Sequence, residues 1–132
     1  MLKIQRILRF VMGYHEVEIV SDGSGDGEQE TSPLSGYISA IKIVPHASAG
    51  GSMTVTIHEV GGNNRQLWTA TVGTTTQEFT PTQDEVDSTN SPTGETSPIR
   101  VGSKLKAVVD VAGSALAPAA TVQFWIDEIR LC

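Results

Sequence analysis

Apolar and polar residues alternate with a period of two along most of this chain. In MTVTIHEV, Met53, Val55 and Ile57 fall on one face and Thr54, Thr56 and His58 on the other. In KLKAVVDV, Leu105, Ala107, Val109 and Val111 share the inward parity and Lys104, Lys106 and Asp110 the outward one, with Val108 as the exception. TVQFWIDEIRL sets Val122, Phe124 and Ile126 against Gln123, Trp125 and Asp127. HEVEIV supplies the inward pair Val17 and Ile19, while GYISAIKIV and QLWTATV read as strands from their β-branched and aromatic content. The opening segment fits both periods. Ile4, Ile7, Leu8 and Val11 have helical spacing, whereas Leu2, Ile4, Leu8, Phe10 and Met12 share the parity of a strand. A strand is expected over residues 1–12, because no N-cap residue precedes them and Ile and Val favour strands.

Turn signals separate these runs: DGSGDG, ASAGG and GGNN. VGGNNRQL reads as a hairpin, since Gly and Asn tolerate positive φ, and VAGSALAPA joins the last two strands in the same way. About eight strands with no convincing helix predict a single antiparallel β-sandwich over residues 1–132, jelly-roll-like in type. Residues 80–98, TPTQDEVDSTNSPTGETSP, hold three prolines and few apolar side chains. They are expected to form a long polar loop, either a plain surface loop or an arm that orders against a neighbouring subunit. Asp84, Glu85 and Asp87 within it are candidate contact residues.

Composition narrows the function classes. The 132 residues fit one domain, and with 39% hydrophobic but only 5% aromatic residues the core must be filled by small β-branched side chains. Residues 1–12 carry Lys3, Arg6 and Arg9 without an acid. Residues 13–30 carry Glu16, Glu18, Asp22, Asp26, Glu28 and Glu30 without Lys or Arg. The net charge is −6 and no basic cluster offsets it, so nucleic acid is not an expected partner. The lone Cys132 cannot make an internal disulfide. Arg6 and Arg9 interrupt the first apolar run, and no run approaches the ~18 residues of a membrane span, so synthesis in a cytoplasm and no membrane partner are expected.

One stretch raises a chemical question. SDGSGDGEQE packs four acids and three glycines into ten residues. Laid on a calcium loop, Asp22, Ser24 and Asp26 occupy the first, third and fifth positions and Glu28 the seventh, but the twelfth, which needs a bidentate Glu, is Pro33. The plainer reading is a glycine turn of a hairpin whose acids discourage edge pairing. His15, His46 and His58 lie at no metal-ligand spacing, and no nucleophile or phosphate-loop motif is present. Glu16/Glu18 and Asp127/Glu128 are carboxylate pairs without an evident cleft. No cofactor and no enzymatic activity are expected. Trp68 reads as core. Trp125 has three readings: an interface anchor, the core of a two-sided sheet, or a platform for sugar stacking. The basic residues Lys3, Arg6 and Arg9 beside an acidic segment suit contact between subunits or an internal salt-bridged hairpin.

The order of segments adds a resemblance. SPLSGYISAIKIV is followed by GSMTVTIHEVGGNNRQLWTATV, a Pro-rich polar stretch, PIRVGSKLKAVVDVAG and ATVQFWIDE. From about Ser32 to Glu128 this resembles small all-β structural proteins of tailed-bacteriophage virions, including capsid decoration (cement) proteins, with Gly36-Tyr37-Ile38 and Gly102 to Val109 as the best local matches. The resemblance implies a non-enzymatic sandwich on the outer surface of a head, bound to the major capsid protein and to copies of itself, a trimer before a dimer. It carries over no functional residue. A neck or tail component and a glycan-binding receptor tip are the alternatives.

Overall fold

The computed structural model describes residues 8–46, 52–86, 92–112 and 117–131. The elements in chain order are β1 (Leu8–Ser21), β2 (Asp26–Glu30), β3 (Gly36–Pro45), β4 (Met53–Glu59), a 3-10 turn (Val60–Gly62), β5 (Arg65–Val72), β6 (Gln77–Phe79), β7 (Thr82–Val86), β8 (Pro92–Pro98), β9 (Arg100–Val101), β10 (Leu105–Val111) and β11 (Ala117–Leu131). One sheet, here sheet A, runs β1-β11-β3-β6, with β9 also paired to β3. Sheet B runs β2-β10-β4-β5. All pairings are antiparallel.

The order has a simple origin. β4 pairs with β5, β3 with β6, β2 with β10 and β1 with β11. These are successive rungs of one long antiparallel ribbon, rolled so that alternate rungs fall in opposite sheets. That is a jelly roll of eight strands. The hairpin β7–β8 and the short β9 are inserted between the sixth and seventh strands of the roll. Two expected hairpins are therefore crossovers between sheets. The turn at 22–25 leads from β1 in sheet A to β2 in sheet B, and the segment after β10 leads back to β11 in sheet A. Local turn chemistry could not distinguish a reversal within a sheet from a step between sheets. The VGGNNRQL hairpin is present, with Asn63 at φ 59 and Asn64 at φ 56.

The residues expected to be a loop at 80–98 contain the β7–β8 hairpin. The low hydrophobicity that argued for a loop does not forbid strands in a hairpin lying outside both main sheets. Its prolines sit where a ladder tolerates them, at the two ends of β8 and just ahead of β7.

The core lies between the sheets. Val17, Ile19, Ile38, Ile41, Ile43, Val122, Phe124 and Ile126 from sheet A meet Met53, Val55, Ile57, Val72, Leu105, Ala107, Val109 and Val111 from sheet B, all buried. Each large aliphatic side chain removed from water contributes about 1.5–3 kcal/mol. Ile38 and Ile41 are both buried although their spacing breaks a period of two. A β-bulge resolves this: β11 pairs Trp125 with Ala40 but Ile126 with Ile38, leaving Ser39 as the extra residue. Trp68 of β5 and Phe79 of β6 close the side of the sandwich, their rings edge to face at 4.9 Å and packed against the core. Thr31 is buried yet satisfied; its hydroxyl accepts from the Leu105 N–H at 3.0 Å and donates to the Ser32 carbonyl at 2.8 Å.

Candidate functional site

β1 is an edge strand of sheet A. From Val11 to Ser21 its odd residues turn inward and its even residues outward, so Met12, one of the apolar residues of shared parity in the opening segment, lies on the outer face. Met12 is 53% exposed, Tyr14 49% and Val20 58%, the large hydrophobic side chains most open to water among the described residues. Trp125 of β11 stands beside Tyr14 in register, half-buried, and the two rings meet edge to face at 5.2 Å. Trp125 is thus on the outer face, with Tyr14 as the partner that periodicity alone did not assign. Desolvation, then the charge of the neighbouring Glu16 and a hydrogen bond to it, raise the Tyr14 phenol above its ordinary value of 10.0. Tyr14 therefore presents a neutral hydroxyl.

The β1–β11 ribbon outruns the rest of the sheet. β3 pairs with β11 only from Glu128 to Ala120, whereas β1 follows it to Leu131. Three rungs, Leu8–Leu131, Arg9–Arg130 and Phe10–Ile129, extend about 10 Å beyond β3 at ~3.4 Å per residue. Arg9 lies on this extension, whereas Lys3 and Arg6 fall outside the described residues. Where the ribbon leaves the sandwich, His15 Nε2 and Glu128 Oε1 are 2.9 Å apart. Gly13 permits this, since a Cβ there would meet the Glu128 carboxyl group at 2.5 Å.

Across β11 from the β1 edge, on the same face of sheet A, a cleft of about 820 Å³ opens between the sheet and the base of the β7–β8 hairpin. Tyr37 lies on its floor. Asp127 flanks Tyr37 on β11 and Arg100 flanks it on β9, in one row across three strands. Ser39, Thr80, Pro81, Thr82, Ser97 and Pro98 also line it. Gly36 allows the three strands to meet: its φ is +154°, and a Cβ would stand 2.2 Å from the Asp127 carbonyl oxygen. The sequence contains no signal for this cleft, because Tyr37, Arg100 and Asp127 are brought together only by register. Asp84 and Glu85 lie on β7, and Asp87 is outside the described residues.

The glycine-rich stretch is a tight turn. The Asp22 carboxylate accepts the N–H groups of Ser24 at 2.8 Å and Asp26 at 3.1 Å, and Asp22 N–H donates to the Asp26 carbonyl at 2.8 Å. Gly25 takes φ 85, open to glycine, and its carbonyl accepts from Val111 N–H at 2.8 Å. The oxygen that would have led a calcium loop is committed to the turn's own backbone. Glu28 lies on β2 with its carboxylate 3.9 Å from the Lys106 ammonium. Among the described residues no three His, Cys, Asp or Glu side chains are placed to hold a metal ion. His46 follows β3, and His58 Nδ1 lies 3.1 Å from the Asn64 carbonyl, so the three histidines sit on separate elements.

The carboxylate pairs do not act together. Asp127 faces the cleft while Glu128, next in the chain, reaches His15 on the opposite face. Glu16 and Glu18 are exposed on β1, and Glu16 accepts a hydrogen bond from Gln123 at 3.2 Å. Comparison with protein-family models, curated proteins and solved structures gives no match. The virion resemblance is carried by the sequence pattern alone.

Proposed function

We propose that this chain is a non-catalytic assembly protein that docks onto a larger protein surface through the β1 edge and the adjoining aromatic face of sheet A. Read with the resemblance, that surface is the major capsid protein lattice of a tailed phage, and the chain is a decoration protein on the outside of the head.

The observation that carries this reading is the exposed Met12 and Tyr14 on an edge strand, with the half-buried Trp125 of β11 beside them. Aromatic side chains at the centre of a contact supply most of its binding energy, because they bury much area at little entropic cost. An edge strand offers unpaired backbone donors and acceptors beside them. A stable contact of this kind buries roughly 1,200–2,000 Å², more than the aromatic group alone provides, so the projecting ribbon belongs to the same footprint. Lys3, Arg6 and Arg9 make the opening sequence basic, which suits an acidic patch on the partner.

The test is co-sedimentation of the purified chain with shells lacking it. Binding near one copy per lattice position, weakened at least tenfold (~1.4 kcal/mol) by Trp125→Ala, is the expected result. Shells that leave the chain in the supernatant rule out the head-surface assignment. A dozen or fewer copies per particle would assign it to the neck or tail instead.

A further inference from the structure

We infer that the cleft between β3, β9, β11 and the base of the β7–β8 hairpin is a binding site for a neutral oligosaccharide of two or three rings. This site adjoins the docking edge without including it: Asp127 pairs with Met12 of β1 on one side and with Tyr37 of β3 on the other.

The lining meets the chemistry of a sugar point for point. A pyranose has a weakly apolar C–H face and a rim of hydroxyls that both donate and accept. Tyr37 offers a half-buried ring at the floor for the face. Asp127 on one side accepts from hydroxyls and Arg100 on the other donates to them. Their backbones stand two strand spacings apart, roughly 10 Å, so the two groups bracket the ring. Ser39, Thr80, Thr82 and Ser97 add hydroxyls that can serve in either sense, and Pro81 and Pro98 add rigid apolar walls. The volume of about 820 Å³ falls in the usual range of roughly 300–1,000 Å³ for small-molecule sites.

Two features leave the polar groups available. Among the described residues neither Asp127 nor Arg100 has a hydrogen-bond or ion-pair partner, so a ligand would not have to displace one. Their charges are opposite, so the cleft has no net attraction for an anion, and the chain as a whole carries −6. That favours a neutral sugar over an acidic one.

Other occupants fit less well. A peptide adding a strand needs a free sheet edge, but the edge of β3 at the cleft is already taken by β6 and β9. Hydrolysis needs a second carboxylate across the scissile bond, and among the described residues Asp127 is the one carboxylate in the lining. The site binds without turning over.

The test is amide chemical-shift mapping of the ¹⁵N-labelled chain at millimolar sugar. The probes are neutral trisaccharides of glucose, mannose, galactose and N-acetylglucosamine, with sialyllactose as the acidic control. At least one neutral sugar should give saturable shifts confined to residues 36–39, 80–82, 97–101 and 127. Tyr37→Ala and Asp127→Asn should each weaken binding at least tenfold, while Tyr37→Phe, which keeps the ring, should retain it. No shift with any neutral sugar, a response to sialyllactose alone, or shifts centred on Tyr14 and Trp125 would each overturn the proposal. Shell docking is read by co-sedimentation with Trp125→Ala and sugar binding by shifts with Tyr37→Ala, so the two proposals fail separately.

Discussion

The outward faces of the two sheets are built on different plans. Sheet B presents threonines and matched charges. Thr56 and Thr69 hydroxyls lie 3.1 Å apart across β4 and β5, and Lys104 and Lys106 reach Glu30 and Glu28 at 4.0 and 3.9 Å. Its polar groups satisfy one another or water, and its residues suit a face that stays wet. Sheet A presents Met12, Tyr14, Val20, Trp125 and Tyr37, a bulge at Ser39 and a cleft whose Arg100 and Asp127 have no described partner. Both sheets contribute fully buried aliphatic side chains to the core. The difference lies in outward-facing residues outside the core, and such residues are where binding is expected to reside.

The sharpest break of this comparison uses two neighbours on opposite faces of one strand. Phe124 is fully buried, and Phe124→Ala should cost about 3–5 kcal/mol in urea unfolding. Trp125→Ala removes a half-buried ring whose edge-to-face contact with Tyr14 is worth ~0.5–1.5 kcal/mol beyond its area, so its stability loss should be clearly the smaller. If both unfold the protein alike, Trp125 is core and the docking face is misassigned.

Gly36→Ala should follow at about 1–3 kcal/mol, read in the same unfolding curves, because a side chain there drives β3 away from the Asp127 backbone. It should also reshape the cleft floor. A tolerated alanine would mean that the three-strand junction is looser than described. On the sheet B side, Asn63→Ala places an ordinary residue at φ 59 and should cost about 1–2 kcal/mol, with Asn63→Gly restoring most of it. Lys104→Ala should change stability by less than about 0.5 kcal/mol, since both it and its partner Glu30 are exposed and their pair is screened by water.

The smallest effect is electrostatic. The folded Tyr14 phenol titrates above its unfolded value, so the stability it contributes is full below pH 10 and is lost as pH rises through the folded value. Glu16→Ala removes the charge and hydrogen bond that add to desolvation, so the Tyr14 midpoint should fall toward 10.0 in an ultraviolet titration. An unchanged midpoint would leave desolvation as the whole cause.

Much of the fold was legible in the chain. The alternation around Val55, Val109 and Val122 placed the inner faces correctly, because burial on one side of a strand imposes period two whatever the topology. The rolled order was not legible, because it depends on which distant strands pair. A turn such as 22–25 folds alike whether it reverses a strand or changes sheets. The β7–β8 hairpin was hidden by its polarity, since a strand outside the core has no apolar face to mark it. The aromatic face was half legible: Trp125 stood out by parity, but Tyr14 joined it only through register. Tyr37, Arg100 and Asp127 were invisible as a group for the same reason.

The central claim is that sheet A, from the β1 edge across Tyr14 and Trp125, is the docking face and sheet B is the solvent face. Hydrogen exchange of the chain, free and bound to shells lacking it, tests this most directly. Slowed exchange in β1 from Leu8 to Val20, with β4 and β5 unchanged, is the predicted result. Protection on β4 and β5, with β1 exchanging as in the free chain, would contradict it.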